Sequence, residues 1–121
     1  MTRQQGAEAE NIACDYLQDK GLKLLDCNFH SRRGEIDLIM QGKNRLNFIE
    51  VRARRNAIFG SAAESVTPQK QQRIIAAAQL YLQQHNINQP CRFDVVTVAL
   101  LPAETHPSPQ VEQWIQDAFQ L

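Results

Sequence analysis

The sequence predicts a mixed α/β fold, in which helices flank a small mixed sheet. Two segments carry apolar residues at helical spacing, and at least three others are apolar runs of strand length. They follow one another as helix, strands, helix and strand. With 121 residues the chain is long enough for one core, so residues 1–121 are expected to form a single domain.

The first helix is predicted from about Gln5 to Lys20. Its apolar residues recur every three or four positions and would form one buried stripe, namely Ala9, Ile12, Ala13, Tyr16 and Leu17. Gly21 follows directly and is a typical helix stop.

Three strand-like segments come next. The run "LKLLDCNF" (22–29) is strand-like, and "GEIDLIM" (34–40) and "RLNFIEVRA" (45–53) read as strands. The short polar segment "QGKN" between the last two predicts a tight turn.

A second helix is predicted after the irregular segment 54–66. Thr67 supplies a hydroxyl N-cap and Pro68 occupies the first helical position. The helix has a stripe expected to be buried, made of Ile74, Ile75, Ala78, Tyr81 and Leu82. A further strand, "RFDVVTVAL" (92–100), follows, and the last segment is expected to pack back through Trp114 and Phe119.

Several classes of protein are disfavoured by simple sequence features. No run of eighteen apolar residues is present, and the N-terminus lacks the apolar core of a secretion signal, so a cytoplasmic location is expected. Cys14, Cys27 and Cys91 are far apart without a C-x-x-C pair, which favours reduced thiols over a disulfide framework or zinc site.

The formal net charge is zero, but the charges are segregated along the chain. Residues 32–73 contain nine basic and four acidic residues, hence +5, and the flanks contain four basic and nine acidic residues, hence −5. A local basic surface can bind phosphate even in a neutral protein. A solvated charged face explains the same pattern, and charge alone does not decide between them.

Acidic residues interrupt two of the predicted strands. Because side chains alternate across a strand, Glu35 and Asp37 share one face, opposite Ile36, Leu38 and Met40. In the next strand Glu50 and Arg52 share a face with Leu46 and Phe48.

The turn fixes how these two strands pair. A two-residue loop at 43–44 places Asp37 opposite Glu50 and Glu35 opposite Arg52. A slip by one residue would put Glu50 on the apolar face, so this register is strongly favoured.

Two facing carboxylates require a nearby positive charge. Directly opposed side chains have β-carbons roughly 4.5–5.5 Å apart, so the charges of Asp37 and Glu50 repel. Mg²⁺ or Mn²⁺ fits, since such a cation is held by one or two carboxylates together with water and phosphate oxygens. The alternative is an ion-pair network in which Glu35 pairs with Arg52 and Asp37 with another base. Glu10, on the first helix, is either a further acid at this site or a solvated surface residue.

These residues carry a resemblance to a known family. Asp37 followed by Glu50-Val51-Arg52 resembles the D…(D/E)-x-K signature of restriction-endonuclease-like nucleases. The strings "GEIDLI", "FIEVRARR", "FG", "SVTPQK", "YL" and "CRFDVV" occur in the order found in the YraN-like family of small bacterial proteins. The resemblance extends from Glu10 to Phe119 and implies a restriction-endonuclease-like core, similar to that of archaeal Holliday-junction resolvases.

The resemblance implies a role for each matching position. Glu10, Asp37 and Glu50 match the family's acids, which would be metal ligands together with the main-chain carbonyl of Val51. Arg52 stands where the signature usually has lysine. A lysine can lose its proton and orient water, whereas arginine stays charged, so Arg52 is expected to hold the scissile phosphate rather than to act as a base.

The resemblance also implies a nuclease that uses Mg²⁺ or Mn²⁺ to hydrolyse phosphodiester bonds in DNA, including branched DNA. Six basic residues are expected to contact backbone phosphates without reading sequence, namely Arg32, Arg33, Arg54, Arg55, Lys70 and Arg73. Lys70 lies in the first helical turn, where free amides also favour an anion.

Other interpretations stay open from the sequence. The chain can be a nucleic-acid-binding module without activity, which Arg52 favours, or a protein-interaction domain whose segregated charges serve an interface, including a homodimer. Asp94, another acid within a predicted strand, either braces the site or pairs with Arg92.

Overall fold

The computed structural model describes residues 3–54, 66–100 and 109–120, with side chains from Gly6 onward. Within these ranges the chain forms two helices and five strands, in the order α1 (Arg3–Asp19), β1 (Lys23–His30), β2 (Glu35–Gly42), β3 (Arg45–Arg54), α2 (Pro68–Gln84), β4 (Cys91–Ala99) and β5 (Gln110–Phe119). The strands form one sheet in the order β1-β2-β3-β4-β5. The predicted mixed α/β class is therefore confirmed.

The sheet is mixed because one connection crosses over. β3 and β4 pair in parallel, and the other three neighbouring pairs are antiparallel. Parallel neighbours need a long crossover connection, and α2 lies within this one. Thr67 caps α2 and Pro68 begins it, as the sequence predicts.

Each helix covers one face of the sheet. The α1 stripe packs into a cluster with Leu38, Met40, Ile49 and Val51. The α2 stripe packs into a second cluster with Ile39, Leu46, Phe48 and Phe93. Burial on both faces explains why the central strands are nearly continuous apolar runs, and it makes an acid in these strands unusual.

The predicted register of β2 and β3 is confirmed. Gly42 pairs with Arg45, and the last paired residues are Leu38 and Ile49. The turn places Asn44 at a φ of 68°, a conformation that asparagine tolerates better than most residues.

The shared apolar face predicted for Ile36, Leu38 and Met40 is wrong at Ile36. Leu38 and Met40 lie on the α1 side, but Ile36 packs on the α2 side, as does its partner Phe29. The change of side coincides with Asn28, whose φ of 54° interrupts the pleat of β1 just before Phe29.

The last segment packs back through its aromatic residues, as predicted, and does so as a strand. Trp114 meets Tyr16 edge to face with ring centroids 6.3 Å apart, and Phe119 stacks on Phe93 at 5.1 Å. Because β5 breaks its pairing register twice, its hydrophobic pattern does not alternate regularly.

Asp94 fastens β5 to β4. Its fully buried carboxylate accepts two hydrogen bonds from Arg92 at 2.8 and 2.9 Å, one from Trp114 Nε1 at 2.9 Å and one from the Asp117 amide at 3.0 Å. The pairing of Asp94 with Arg92, one of the two sequence interpretations, is therefore what the structure contains.

Candidate functional site

A cavity of about 450 Å³ lies at the end of the sheet where β2 begins and β3 ends. Four parts of the chain line it: α1 through Glu10, the loop 31–34, the acidic ends of β2 and β3, and α2 through Lys70 and Arg73. Most of the predicted site residues therefore surround one cavity, although they are spread over more than sixty positions of sequence.

Asp37 lies where β2 and β3 separate. Regular pairing ends at Leu38 and Ile49. Beyond that point the Asp37 side chain connects the two strands, because its Oδ2 accepts a hydrogen bond from the Val51 amide at 2.8 Å. The N–H and C=O of one strand residue point toward the same neighbour. The Val51 carbonyl therefore points toward β2, on the side where Asp37 lies.

Glu50 is held next to Asp37, as the register predicts. Only 14% of its side chain is exposed. The pKa of Glu50 is raised to about 9, chiefly by burial and further by a hydrogen bond with Asp37 and the negative charge of Asp37, while the charges of Arg52 and Lys70 lower it. Glu50 therefore carries a proton at neutral pH when no cation is bound.

Arg52 contacts Glu50 and not Glu35. The Arg52 Nη2 atom lies 3.4 Å from Glu50 Oε2, whereas Glu35 Oε1 lies 3.1 Å from His30 Nδ1. The predicted Glu35–Arg52 pair is therefore wrong, because the β2–β3 pairing ends before Glu35, and Glu35 pairs with His30 of β1 instead. Within the described ranges the buried Nε of Arg52 has no hydrogen-bond partner.

Glu10 reaches the same cavity from α1. Burial raises its pKa, the charges of Asp37 and Glu35 raise it further, and a hydrogen bond with Asn28 and the charge of His30 lower it. Glu10 is thus within electrostatic reach of the acidic pair, which supports the site interpretation over that of a solvated surface residue.

The donor atoms at this end of the sheet suit a hard divalent cation. Asp37 and Glu50 offer carboxylate oxygens and Val51 a carbonyl oxygen, the ligands that Mg²⁺ and Mn²⁺ prefer. Among the residues described, no three acidic, histidine or cysteine side chains come together as a metal-binding group. A cation would therefore rest on the two carboxylates, with main-chain, water and substrate oxygens completing its coordination.

Basic side chains line the same cavity as the acids. Arg32 and Arg33 come from the loop before β2, and Lys70 and Arg73 come from the first two turns of α2. The sequence predicts all four as phosphate contacts. The Lys70 amide, however, donates to the Thr67 hydroxyl at 3.3 Å, so the N-cap already uses the amide that the sequence suggested for an anion.

Arg54, a further predicted phosphate contact, is not among the described residues that line the cavity. Arg54 pairs with Glu112 of β5, with Nε 3.0 Å from Oε1 and a second contact between Nη2 and Oε2. The bidentate carboxylate of Glu112 explains why Arg54 is directed toward β5. Arg55 lies outside the described residues.

Ser31 and Gly34 are cavity residues that the sequence analysis did not select. The Ser31 hydroxyl donates to the Gly34 carbonyl at 2.9 Å and accepts from the amides of Arg33 and Gly34, both at 3.2 Å. The sequence feature that could have identified them is the segment "SRRGE", in which the small, turn-forming residues Ser31 and Gly34 flank two arginines.

Fold and site together define a class of protein: a small mixed α/β domain with an acidic pair in a cation-lined cavity. The chain belongs to the uncharacterised protein family UPF0102, whose model matches residues 9–98, and this is the YraN-like family that the sequence motifs indicate.

Similar proteins match nearly the whole chain. A UPF0102 protein of Nitrosococcus oceani is 49% identical over 121 residues, covering 98% of this chain and 94% of the relative. Those of Chromohalobacter salexigens and Saccharophagus degradans are 47% and 48% identical, covering 98% and 96% of this chain and 92% of each relative. Across the described ranges, no helix is long and apolar enough to cross a membrane.

Proposed function

We propose that this protein is a cytoplasmic, divalent-metal-dependent endonuclease that hydrolyses phosphodiester bonds in DNA, with branched DNA among its candidate substrates. The observation that carries the proposal is the Asp37–Glu50 pair, which lies on neighbouring strands and lines one cavity together with four basic side chains besides Arg52. An ion-pair network alone does not account for it, since Glu50 has one long contact to Arg52 and is hydrogen-bonded to Asp37.

The residues divide the chemistry among them. Asp37 and Glu50 would hold Mg²⁺ or Mn²⁺, and Glu50 would release its proton as the cation binds. The cation supplies polarisation of the phosphoryl oxygen and activation of water. Asp37 keeps its position through the Val51 amide, so its charge is oriented before substrate arrives.

Arg52 is assigned to the phosphate. Its Nε is buried without an acceptor in the described structure, and an unsatisfied buried donor costs about 1–3 kcal/mol. A phosphate oxygen would satisfy this donor and would receive charge stabilisation as the bond breaks. Arginine stays protonated at any accessible pH, so Arg52 has no role as proton acceptor.

The test is cleavage of labelled duplex, single-stranded, flap and four-way-junction DNA in Mg²⁺, Mn²⁺ or EDTA. Asp37→Asn is the diagnostic variant, because the amide keeps an oxygen for the Val51 N–H but loses the charge. Asp19→Asn is its matched control, since Asp19 is an exposed acid at the other end of α1. Cleavage that needs the metal, survives Asp19→Asn and disappears in Asp37→Asn is the expected result.

A second candidate is a nucleic-acid-binding module that does not cut. Arg52 at the usual lysine position favours it, because no basic side chain of the signature can then accept a proton. Gel shifts with a steep salt dependence, no response to metal or Asp37→Asn, and intact DNA of all four types would contradict the nuclease and support this candidate.

A further inference from the structure

The basic side of the cavity is built from two separate parts of the chain that are held together by backbone packing. One part is the loop 31–34 and the other is the start of α2, through Lys70 and Arg73. We call these together the cationic wall. Glu10 of α1 and the Asp37–Glu50 pair carry the acids of the same cavity.

Gly34 is the point of contact between the two parts. A β-carbon on Gly34 would lie 2.3 Å from the Arg73 carbonyl oxygen and 2.8 Å from the Arg73 carbonyl carbon. Both are backbone atoms of a helix, so they cannot move aside as a flexible side chain would. The loop therefore packs directly on the α2 backbone, and only glycine permits so close an approach.

Ser31 fixes the shape of the loop at that contact. Its hydroxyl makes three hydrogen bonds to the backbone of Arg33 and Gly34, and its amide donates to the Gly34 carbonyl at 3.0 Å. Arg32 and Arg33 thus project from a closed turn. Their distance from Arg73 is set by the Gly34 contact and not by the flexibility of a loop.

From this packing we infer that the cationic wall is a preformed subsite for successive phosphates of one nucleic-acid strand, separate from the metal site, and that Gly34 is its positioning residue. The inference rests on the proposed function and specifies how that site would hold its substrate. Repeated phosphates suit the wall because its four basic side chains come from two backbone segments that are held together, and each can neutralise a separate phosphate. Each phosphate neutralised adds about 0.9 to the slope of log affinity against log salt.

Gly34→Ala tests the inference, with Gly42→Ala as matched control. At Gly42 an added β-carbon meets its nearest atom, Asn47 Oδ1, at 3.4 Å, which is ordinary contact, and Gly42 lies at the other end of β2. Binding of a fluorescein-labelled DNA duplex would be measured in Ca²⁺ over a range of salt concentrations, and Mn²⁺ binding by electron paramagnetic resonance.

We expect Gly34→Ala to weaken DNA binding at least about tenfold and to reduce the salt slope by about 2, the loss of two phosphate contacts. Mn²⁺ binding and the Gly42→Ala control should stay within about twofold of the native protein. Gly34→Ala that folds and binds DNA with native affinity and slope would overturn the subsite. No DNA binding by the native protein would instead refute the proposed function.

Ser31→Ala keeps the inference testable if Gly34→Ala does not fold. It removes three hydrogen bonds without introducing a clash, so the sheet should persist in circular dichroism. A shallower salt slope with unchanged Mn²⁺ binding supports the subsite, and a native slope in a folded Ser31→Ala protein contradicts it.

Discussion

Replacing Glu50 with glutamine should stabilise the metal-free protein at alkaline pH and leave its stability unchanged near pH 4. The folded state raises the pKa of Glu50 from 4.5 to about 9. A carboxyl whose pKa is raised by folding contributes stability that is fully present below pH 4.5 and is lost as the pH rises toward 9. Glutamine resembles the protonated acid at every pH, so the variant does not undergo this loss.

The size of the effect follows from the shift. One pKa unit corresponds to about 1.36 kcal/mol, so the interval from 4.5 to 8 sets an upper bound of about 5 kcal/mol at pH 8. Part of the shift comes from the hydrogen bond with Asp37 and from the charge of Asp37, so it belongs to the pair and not to Glu50 alone. We therefore expect Glu50→Gln to raise the free energy of unfolding by about 2 kcal/mol at pH 8.

The assay is urea unfolding of both proteins in EDTA between pH 4 and pH 9. A gain of about 2 kcal/mol moves the midpoint by about 1 M urea, with an unchanged m-value. Millimolar Mn²⁺ should then stabilise the native protein and not the variant, because only the native protein has both carboxylates. A stability difference that does not change with pH in EDTA would refute the raised pKa of Glu50 and with it the electrostatic basis of the proposed metal site.

Three further changes test other parts of the structure. Arg52→Ala should lower the initial rate of cleavage at least about 100-fold, while Arg52→Lys should stay within about tenfold of the native rate. An equal loss of rate in both variants would mean that the charge at position 52 is not what matters. Asp94→Ala should lower the free energy of unfolding by about 3–5 kcal/mol in urea titrations, since it leaves Arg92 buried without its partner; a loss under about 1 kcal/mol would contradict that role. Thr67→Ala should cost about 1 kcal/mol in thermal unfolding through the lost bond to the Lys70 amide, and no change would show that the cap is dispensable.

Local chemistry made much of the site predictable. The two-residue turn at 43–44 favours the observed register, and the apolar pattern disfavours a slip by one residue, so Asp37 is expected beside Glu50. The N-cap and proline at 67–68 place Lys70 in the first turn of α2. When α2 packs on the sheet, Lys70 therefore lies at one end of the sheet.

Other features depend on partners that are distant in sequence. Glu35 faces His30 because β1 and β2 stay paired where β2 and β3 have separated, and no pattern within one strand shows this. Arg54 is directed by Glu112, a residue in a segment whose strand character was hidden by register breaks. The two nearest atoms at the Gly34 contact are backbone atoms of Arg73 in α2, and side-chain patterns do not encode such a contact.

The buried bond between Trp114 and Asp94 gives the protein an internal optical reporter. Trp114 is the single tryptophan of the chain, its Nε1 donates to Asp94, and its ring meets Tyr16 of α1. The fluorescence of Trp114 therefore reports how β5 and α1 pack against each other. Trp114 does not line the cavity, so a change in the cavity alters this fluorescence only by altering that packing. Fluorescence and the proposed cleavage would thus be separate signals in one sample, one for the integrity of the sheet and one for events at the acidic pair.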